Sequence, residues 1–267
     1  MAVTLRGRVH RHGESNDGRP HCIGSGDCLM EGIILAGGLG TRLRSRLSNL
    51  PKVMAPVAGR PFLEILLNRM VAAGCARIIL SVGYLHRVIS DAYGNSFQSA
   101  ELIYAVEETP LGTGGAIRLA LGLTRESSIL VLNGDTFLEL DLRSFLDAHL
   151  AAGKPLSLAI TEVTDVARYG GVLTDGDSVS GFVEKGRVGA GWINGGVYAL
   201  QREFPWPDHL PRRFSFENDL LVPMVGSLKP LAFRCRGHFL DIGIPEDLDR
   251  AETQLAPFLP PAPDVER

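Results

Sequence analysis

Leu35-Ala36-Gly37-Gly38-Leu39-Gly40-Thr41-Arg42-Leu43 is a glycine-rich run directly behind a short apolar segment. Glycines in such a place let backbone N–H groups close around a phosphate chain. Arg42 can clamp phosphate oxygens through paired hydrogen bonds, and Lys52, after Pro51, adds a second cation. The run is not a P-loop, which ends in Gly-Lys-Ser/Thr where this one has Thr41-Arg42. Nor is it a dinucleotide fingerprint, because Leu43 stands where a glycine or alanine belongs and the second strand runs out at Gly83-Tyr84 without an acid. A plain glycine turn, with Arg42 and Lys52 in solvent, is the competing reading.

Two acids are spaced for a different task. Asp135 follows the apolar run ending in Leu132-Asn133-Gly134, and Asp241 lies far along the chain in Phe239-Leu240-Asp241-Ile242-Gly243. Magnesium takes a few hard oxygen ligands and leaves the rest of its shell to phosphate and water, so two converging aspartates suit it. Taken singly, each aspartate is better explained as a loop or helix cap. Asp141, Asp175 and Asp177 are read as caps. A second glycine-rich stretch, Glu107-Glu108-Thr109-Pro110-Leu111-Gly112-Thr113-Gly114-Gly115-Ala116, lies between a strand and a helix.

These residues need rigid carriers, and the composition provides for them. The chain has 267 residues, 45% hydrophobic and 21% charged, with a formal net charge of -3. That describes a globular protein with a sizeable core and gives no cationic footprint for nucleic acid. Cys22, Cys28, Cys75 and Cys235 show no CxxC spacing, which fits free thiols and a cytoplasmic setting. No apolar run reaches the about 18 residues that a membrane span needs, and a homo-oligomer is compatible with this composition.

Residues 1–29 carry many charges and little apolar periodicity and read as a disordered extension. A metal site on His10, His12, His21, Cys22 and Cys28 lacks paired ligand spacing. From Met30 the pattern predicts strands over 33–36, 77–82, 102–106 and 129–133. Helices are expected over 61–73, 84–93 and 114–121, with a further helix capped by Asp141 and ending before Gly153. Strand and helix in alternation indicate a largely parallel sheet. Shorter strands follow over 156–162, 171–173, 179–183 and 192–200, with an Asp175-Gly176 hairpin signal. They are expected to add antiparallel strands as a lid or platform. Pro245 opens a closing helix, the main domain is read as 30–256, and the proline-rich 257–267 reads as a disordered tail.

Gly-Gly-Leu-Gly-Thr-Arg-Leu followed by Pro51-Lys52 resembles the signature of the sugar-1-phosphate nucleotidyltransferase family, and further motifs fall in the family's order from about Glu31 to about Leu255. The resemblance implies a three-layer α/β/α Rossmann-like fold with a mostly parallel central sheet. It also implies attack of a sugar 1-phosphate on the α-phosphorus of a nucleoside triphosphate, with Mg²⁺ on Asp135 and Asp241. The first loop (Leu35, Ala36, Gly37, Gly38, Gly40, Thr41, Arg42) and Lys52 would hold the triphosphate. Glu107, Pro110, Gly112 and Thr113 would surround the base. Glu184, Lys185, Asn194 and Gly170 resemble the family's sugar-phosphate contacts. A carboxylate at Glu107 accepts two hydrogen bonds from guanine but one from adenine, which favours GTP, although uracil also offers an N–H. Within the family the motifs look most like members acting on D-glycero-α-D-manno-heptose 1-phosphate, on a route to surface polysaccharides. Mannose-1-phosphate guanylyl transfer and amino-sugar-1-phosphate uridylyl transfer are the alternatives, and a catalytically silent sugar-nucleotide-binding regulator is the reading from another class.

Overall fold

The structure is a computed structural model that describes residues 30–259 except 39, 41, 42, 44, 45 and 48. The extension 1–29, with its histidines and Cys22 and Cys28, lies outside the described residues. Strand β1 (Met30–Leu35) opens the fold, followed by a two-residue ribbon, β2 (Pro56–Val57) and β3 (Arg60–Pro61). Helix α1 (Phe62–Ala72) leads to β4 (Cys75–Val82), and α2 (His86–Tyr93) to β5 (Ser96–Phe97) and β6 (Ala100–Val106). Next come α3 (Gly112–Leu121), β7 (Ser128–Asn133), β8 (Thr136–Leu138) and α4 (Leu142–Ala152).

The second half contains β9 (Leu156–Val163), the hairpin β10 (Gly171–Asp175) and β11 (Ser178–Val183), and the long β12 (Gly191–Gln201). A π-helical turn (Phe216–Leu221) runs into α5 (Val222–Leu228). Then β13 (Leu231–Cys235), β14 (Phe239–Asp241) and α6 (Pro245–Gln254) close the chain.

Ten strands form one sheet in the order β10-β11-β13-β9-β12-β7-β1-β4-β6-β5. Its centre, β7-β1-β4-β6, is parallel throughout. The antiparallel strand β12 joins this centre to β9. The expected lid is therefore corrected: the later strands extend the same sheet, because β12 pairs through Val197–Gln201 with β7 on one side and through most of its length with β9 on the other.

Continuous apolar strands supply both faces of the sheet, as buried parallel strands must. Ile34, Leu80, Leu130 and Leu132 pack toward α1 and α4, whereas Ile33, Ile79 and Val131 pack toward α3 and the π-helical turn. That alternation of neighbours gives three layers, α/β/α. The tail expected from 257 is described as far as Leu259, and Phe258 packs at 4.7 Å from the Phe137 ring.

Asp141 caps α4 as its sequence suggests, its Oδ1 accepting from the Ser144 amide at 2.9 Å. Gly153 then ends the helix in the left-handed region. One turn before that end, buried His149 places Nδ1 2.8 Å from Ser157 Oγ on β9. Burial pushes its pKa down from 6.5 to about 4. Below pH 6.5 the unfolded chain takes up a proton that the folded one refuses until about pH 4, so stability falls with pH across this window, by on the order of 3 kcal/mol. Chemical denaturation between pH 7 and 4 should show this loss, and His149→Gln, which cannot titrate, should flatten it.

Candidate active site

Three loops meet at the carboxyl edge of the central sheet, where open α/β sheets hold their ligands. The Ala36 amide donates to Ser81 O at 2.7 Å, and the Gly134 amide donates to Leu35 O at 3.1 Å. The ends of β1, β4 and β7 are thereby tied to one another. The approaches leave no room for side chains. A Cβ on Gly37 would stand 2.6 Å from Glu107 Oε1, and one on Gly134 would stand 2.4 Å from Leu35 O. Gly40 takes φ +54 beside the Lys52 side chain. Arg42 and Thr41, expected on the phosphates, lie outside the described residues, as does Leu39.

Lys52 begins a 3-10 turn, Lys52–Met54, set up by Pro51 at φ -58 and anchored by buried Val53 and Met54. Its ammonium is drawn inward, 2.6 Å from Asp135 Oδ2 and 4.0 Å from Asp241 Oδ1. What brings two acids from distant parts of the chain together is the small ribbon of β8 and β14, in which Asp241 pairs with Thr136. The Ile242 amide also donates to Asp135 O at 3.0 Å.

Asp241 is half-enclosed and its two oxygens have separate partners. Oδ1 accepts from the Gly243 amide at 2.7 Å, and Oδ2 lies 3.5 Å from Arg168 Nη2. Burial raises its pKa first and the charge on Asp135 raises it further, against the lowering effects of Lys52, Gly243 and Arg168. Arg168 in turn pairs with Asp247, a buried acid in the first turn of α6. The donor set fits a hard divalent cation: two carboxylates, one of them 41% exposed, with no group of three metal-ligating side chains among the described residues. Asp135 and Asp241 would supply two ligands to such an ion, and phosphate and water the others.

Beside the acids is a cleft of about 290 Å³ lined by Leu35, Gly38, Lys52, Glu107, Thr113 and Asp135. A second hollow, about 540 Å³, continues from Gly37 past Gly83, Tyr84 and Pro110. Glu107 stands at the boundary of the two. Its Oε2 accepts from the Leu111 amide at 2.8 Å, and among the described residues its Oε1 accepts a single long 3.4 Å bond, from Ser81 Oγ. Burial raises its pKa, and those two hydrogen bonds offset part of the rise. Oε1 is therefore the less engaged oxygen, and any further bond to Oε2 must share it with Leu111. Gly112 takes φ +68 against Phe214 O, and Thr113 Oγ1 accepts from the Phe216 amide at 2.9 Å.

The residues expected at the sugar lie on β11, β12 and the loop before β10. Gly170, at φ +83, lets its loop pass close to Val183 O and the Lys185 stem. Glu184 and Lys185 are exposed at the end of β11. Asn194 is turned inward, its Nδ2 donating to Tyr198 Oη at 2.8 Å. Sequence reasoning missed Ser81, Asn133, Arg168, Tyr198 and Glu217. Arg168 had one signal, its place directly before Tyr169-Gly170-Gly171, and Glu217 had none.

The nucleotidyl transferase family profile matches residues 31–256, and the chain belongs to this family. It is 40% identical to D-glycero-alpha-D-manno-heptose 1-phosphate guanylyltransferase of Aneurinibacillus thermoaerophilus, over 86% of this chain and 100% of the relative. It is 34% identical to mannose-1-phosphate guanylyltransferase of Mycobacterium tuberculosis, over 88% of this chain and 67% of that one. Among solved structures, HddC from Yersinia pseudotuberculosis complexed with GMP-PN superposes with a TM-score of 0.73 at 40% identity, covering 84% of this chain and 98% of the other.

The loop contact at Gly134 is open to a direct check. Gly134→Ala drives a methyl into Leu35 O and Val53, and should cost about 1–3 kcal/mol in urea unfolding. An unchanged midpoint would mean that the ends of β1 and β7 are not pressed together.

Proposed function

We propose that this chain transfers GMP from GTP to a manno-configured heptose 1-phosphate, releasing pyrophosphate and GDP-heptose. The observation that carries the phosphoryl chemistry is the meeting of Asp135, Asp241 and Lys52 at the mouth of a glycine-lined cleft. The choice of base and sugar draws on the 40% identity that spans the full length of a relative with that name.

The nucleophile, a sugar phosphate oxygen, is already ionised at neutral pH because the second phosphate ionisation lies near pKa ~6. No side chain has to remove a proton. The protein's work is to bring two anions together and hold them in line. Leu35 and Ala36 set the course of the loop, and the backbone amides of Gly37, Gly38 and Gly40 receive the triphosphate, joined by Arg42. Lys52 serves the α-phosphate, and Lys185 holds the phosphate of the sugar. Mg²⁺, held by Asp135 and Asp241, would neutralise charge on the phosphate oxygens. Free, buried Cys75 and Cys235 fit a cytoplasmic setting, and no helix among the described residues is long and apolar enough to cross a membrane.

Pyrophosphate release from each triphosphate, with a panel of sugar 1-phosphates, tests this reading. GTP with the manno-configured heptose 1-phosphate should give the highest kcat/KM, and release only with UTP or dTTP would overturn the choice of base. Chelation should stop the reaction and added Mg²⁺ restore it. Asp135→Ala and Asp241→Ala should each lower kcat by at least about 100-fold, the scale of losing a charge-stabilising group, with the fold intact by circular dichroism. Activity within tenfold of wild type would refute the metal assignment. Glu107→Gln should raise the KM for GTP while leaving the KM for the sugar 1-phosphate unchanged.

A further inference from the structure

A row of polar side chains runs from Asp135 beneath the cleft. Asn133, the last residue of β7, hydrogen-bonds Tyr198 on β12, which also accepts from Asn194. Tyr198 is buried, and the carboxylates of Asp135 and Glu217 act on it from their two positions along the row.

Asn194 sits where β12 bulges, the pairing with β9 slipping between Asn194 and Val197. The Gly196 amide donates to Asn194 Oδ1 at 3.1 Å. Only an oxygen can accept that bond, so the amide's orientation is fixed. Its nitrogen then has two hydrogens, and both are committed, to Tyr198 Oη and to the Glu217 carboxylate. Its Oδ1 keeps a second lone pair, open to a sugar hydroxyl. Asn194 also holds Glu217.

Glu217 is fixed from other directions as well. It follows Phe216, whose amide is bonded to Thr113 Oγ1 and whose ring meets Tyr198 edge-on at 5.2 Å. Ser215 caps the π-helical turn by accepting from the Asn218 amide at 3.1 Å. Turns of this rare kind concentrate at functional sites. The carboxylate is half-buried; burial raises its pKa, and the charge of Lys185 and the bond from Asn194 lower it. A carboxylate has about four acceptor positions, and Asn194 fills one of them.

We propose that Glu217 is a specificity residue that accepts hydrogen bonds from hydroxyls of the sugar while Lys185 holds its phosphate. The assignment rests on the sugar-1-phosphate reading given above. A rigid, partly desolvated acceptor favours a sugar with a hydroxyl in the right place. It rejects one without, because its own bonding capacity then goes unfilled.

The test compares wild type, Glu217→Gln and Glu217→Asp with GTP, the manno-configured heptose 1-phosphate and its singly deoxygenated analogues. Glu217→Gln should raise the KM for the sugar 1-phosphate at least tenfold and change the KM for GTP less than twofold. One deoxy analogue should cost wild type at least tenfold in kcat/KM but cost the variant less than threefold. A role confined to holding Asn194 would leave every deoxy penalty the same in both enzymes, and that result overturns the proposal, as does an unchanged sugar KM. Should Glu217→Gln fail to fold, Glu217→Asp, which keeps the charge and withdraws it by one methylene, carries the same comparison. A wild-type enzyme that turns over no sugar 1-phosphate would instead sink the underlying reading.

Discussion

Two carboxylates facing one another across a half-buried space repel, and everything at this site follows from how that repulsion is answered. Asp135 and Asp241 are held opposite each other by backbone pairing, through the β8–β14 ribbon and the Ile242 amide, so they cannot turn apart. Lys52 answers with a buried ammonium between them, and Arg168 adds a second cation on the far oxygen of Asp241. Burial and Asp135 together still leave the Asp241 pKa raised. Two carboxylates held together in this way suit a divalent cation, which polyphosphate chemistry brings with it.

The glycines are the counterpart of this arrangement. Gly37 and Gly134 let loops approach until a single methyl would collide with Glu107 or with the Leu35 carbonyl. Side chains are thereby excluded from these approaches. The same economy governs the other end, where Phe214 and Phe216 lie across the start of α3 and tie the turn that carries Glu217 to Thr113. The loop that opens α3 and the turn that carries Glu217 are thus packed against one another.

Much of this was legible in the sequence because it rests on local chemistry. Apolar runs flanked by glycine located β1, β4 and β7, and Asp141 announced the start of α4. The glycine-rich loops and both aspartates were found from their places after strands. What escaped lacks a local signature. The ribbon β8–β14 is three residues deep, too short for periodicity, yet it brings Asp135 and Asp241 together. β13 enters parallel to β9 from seventy residues away, so the later strands looked like a separate platform. Glu217 is one acid in a polar stretch, distinguished only by Asn194 and Lys185 arriving from other strands. Glu107 was read as a free pair of acceptors because no spacing rule reveals that Leu111 folds back onto one of them.

A crystal structure with Mg²⁺, a non-hydrolysable GTP analogue and a sugar 1-phosphate bears most directly on the central claim. The acid pair as described requires one metal ion ligated by both Asp135 and Asp241, with the Lys52 ammonium released from Asp135 and bonded to a phosphate oxygen. A metal bound elsewhere, or a Lys52–Asp135 pair left intact beside the bound triphosphate, would contradict it.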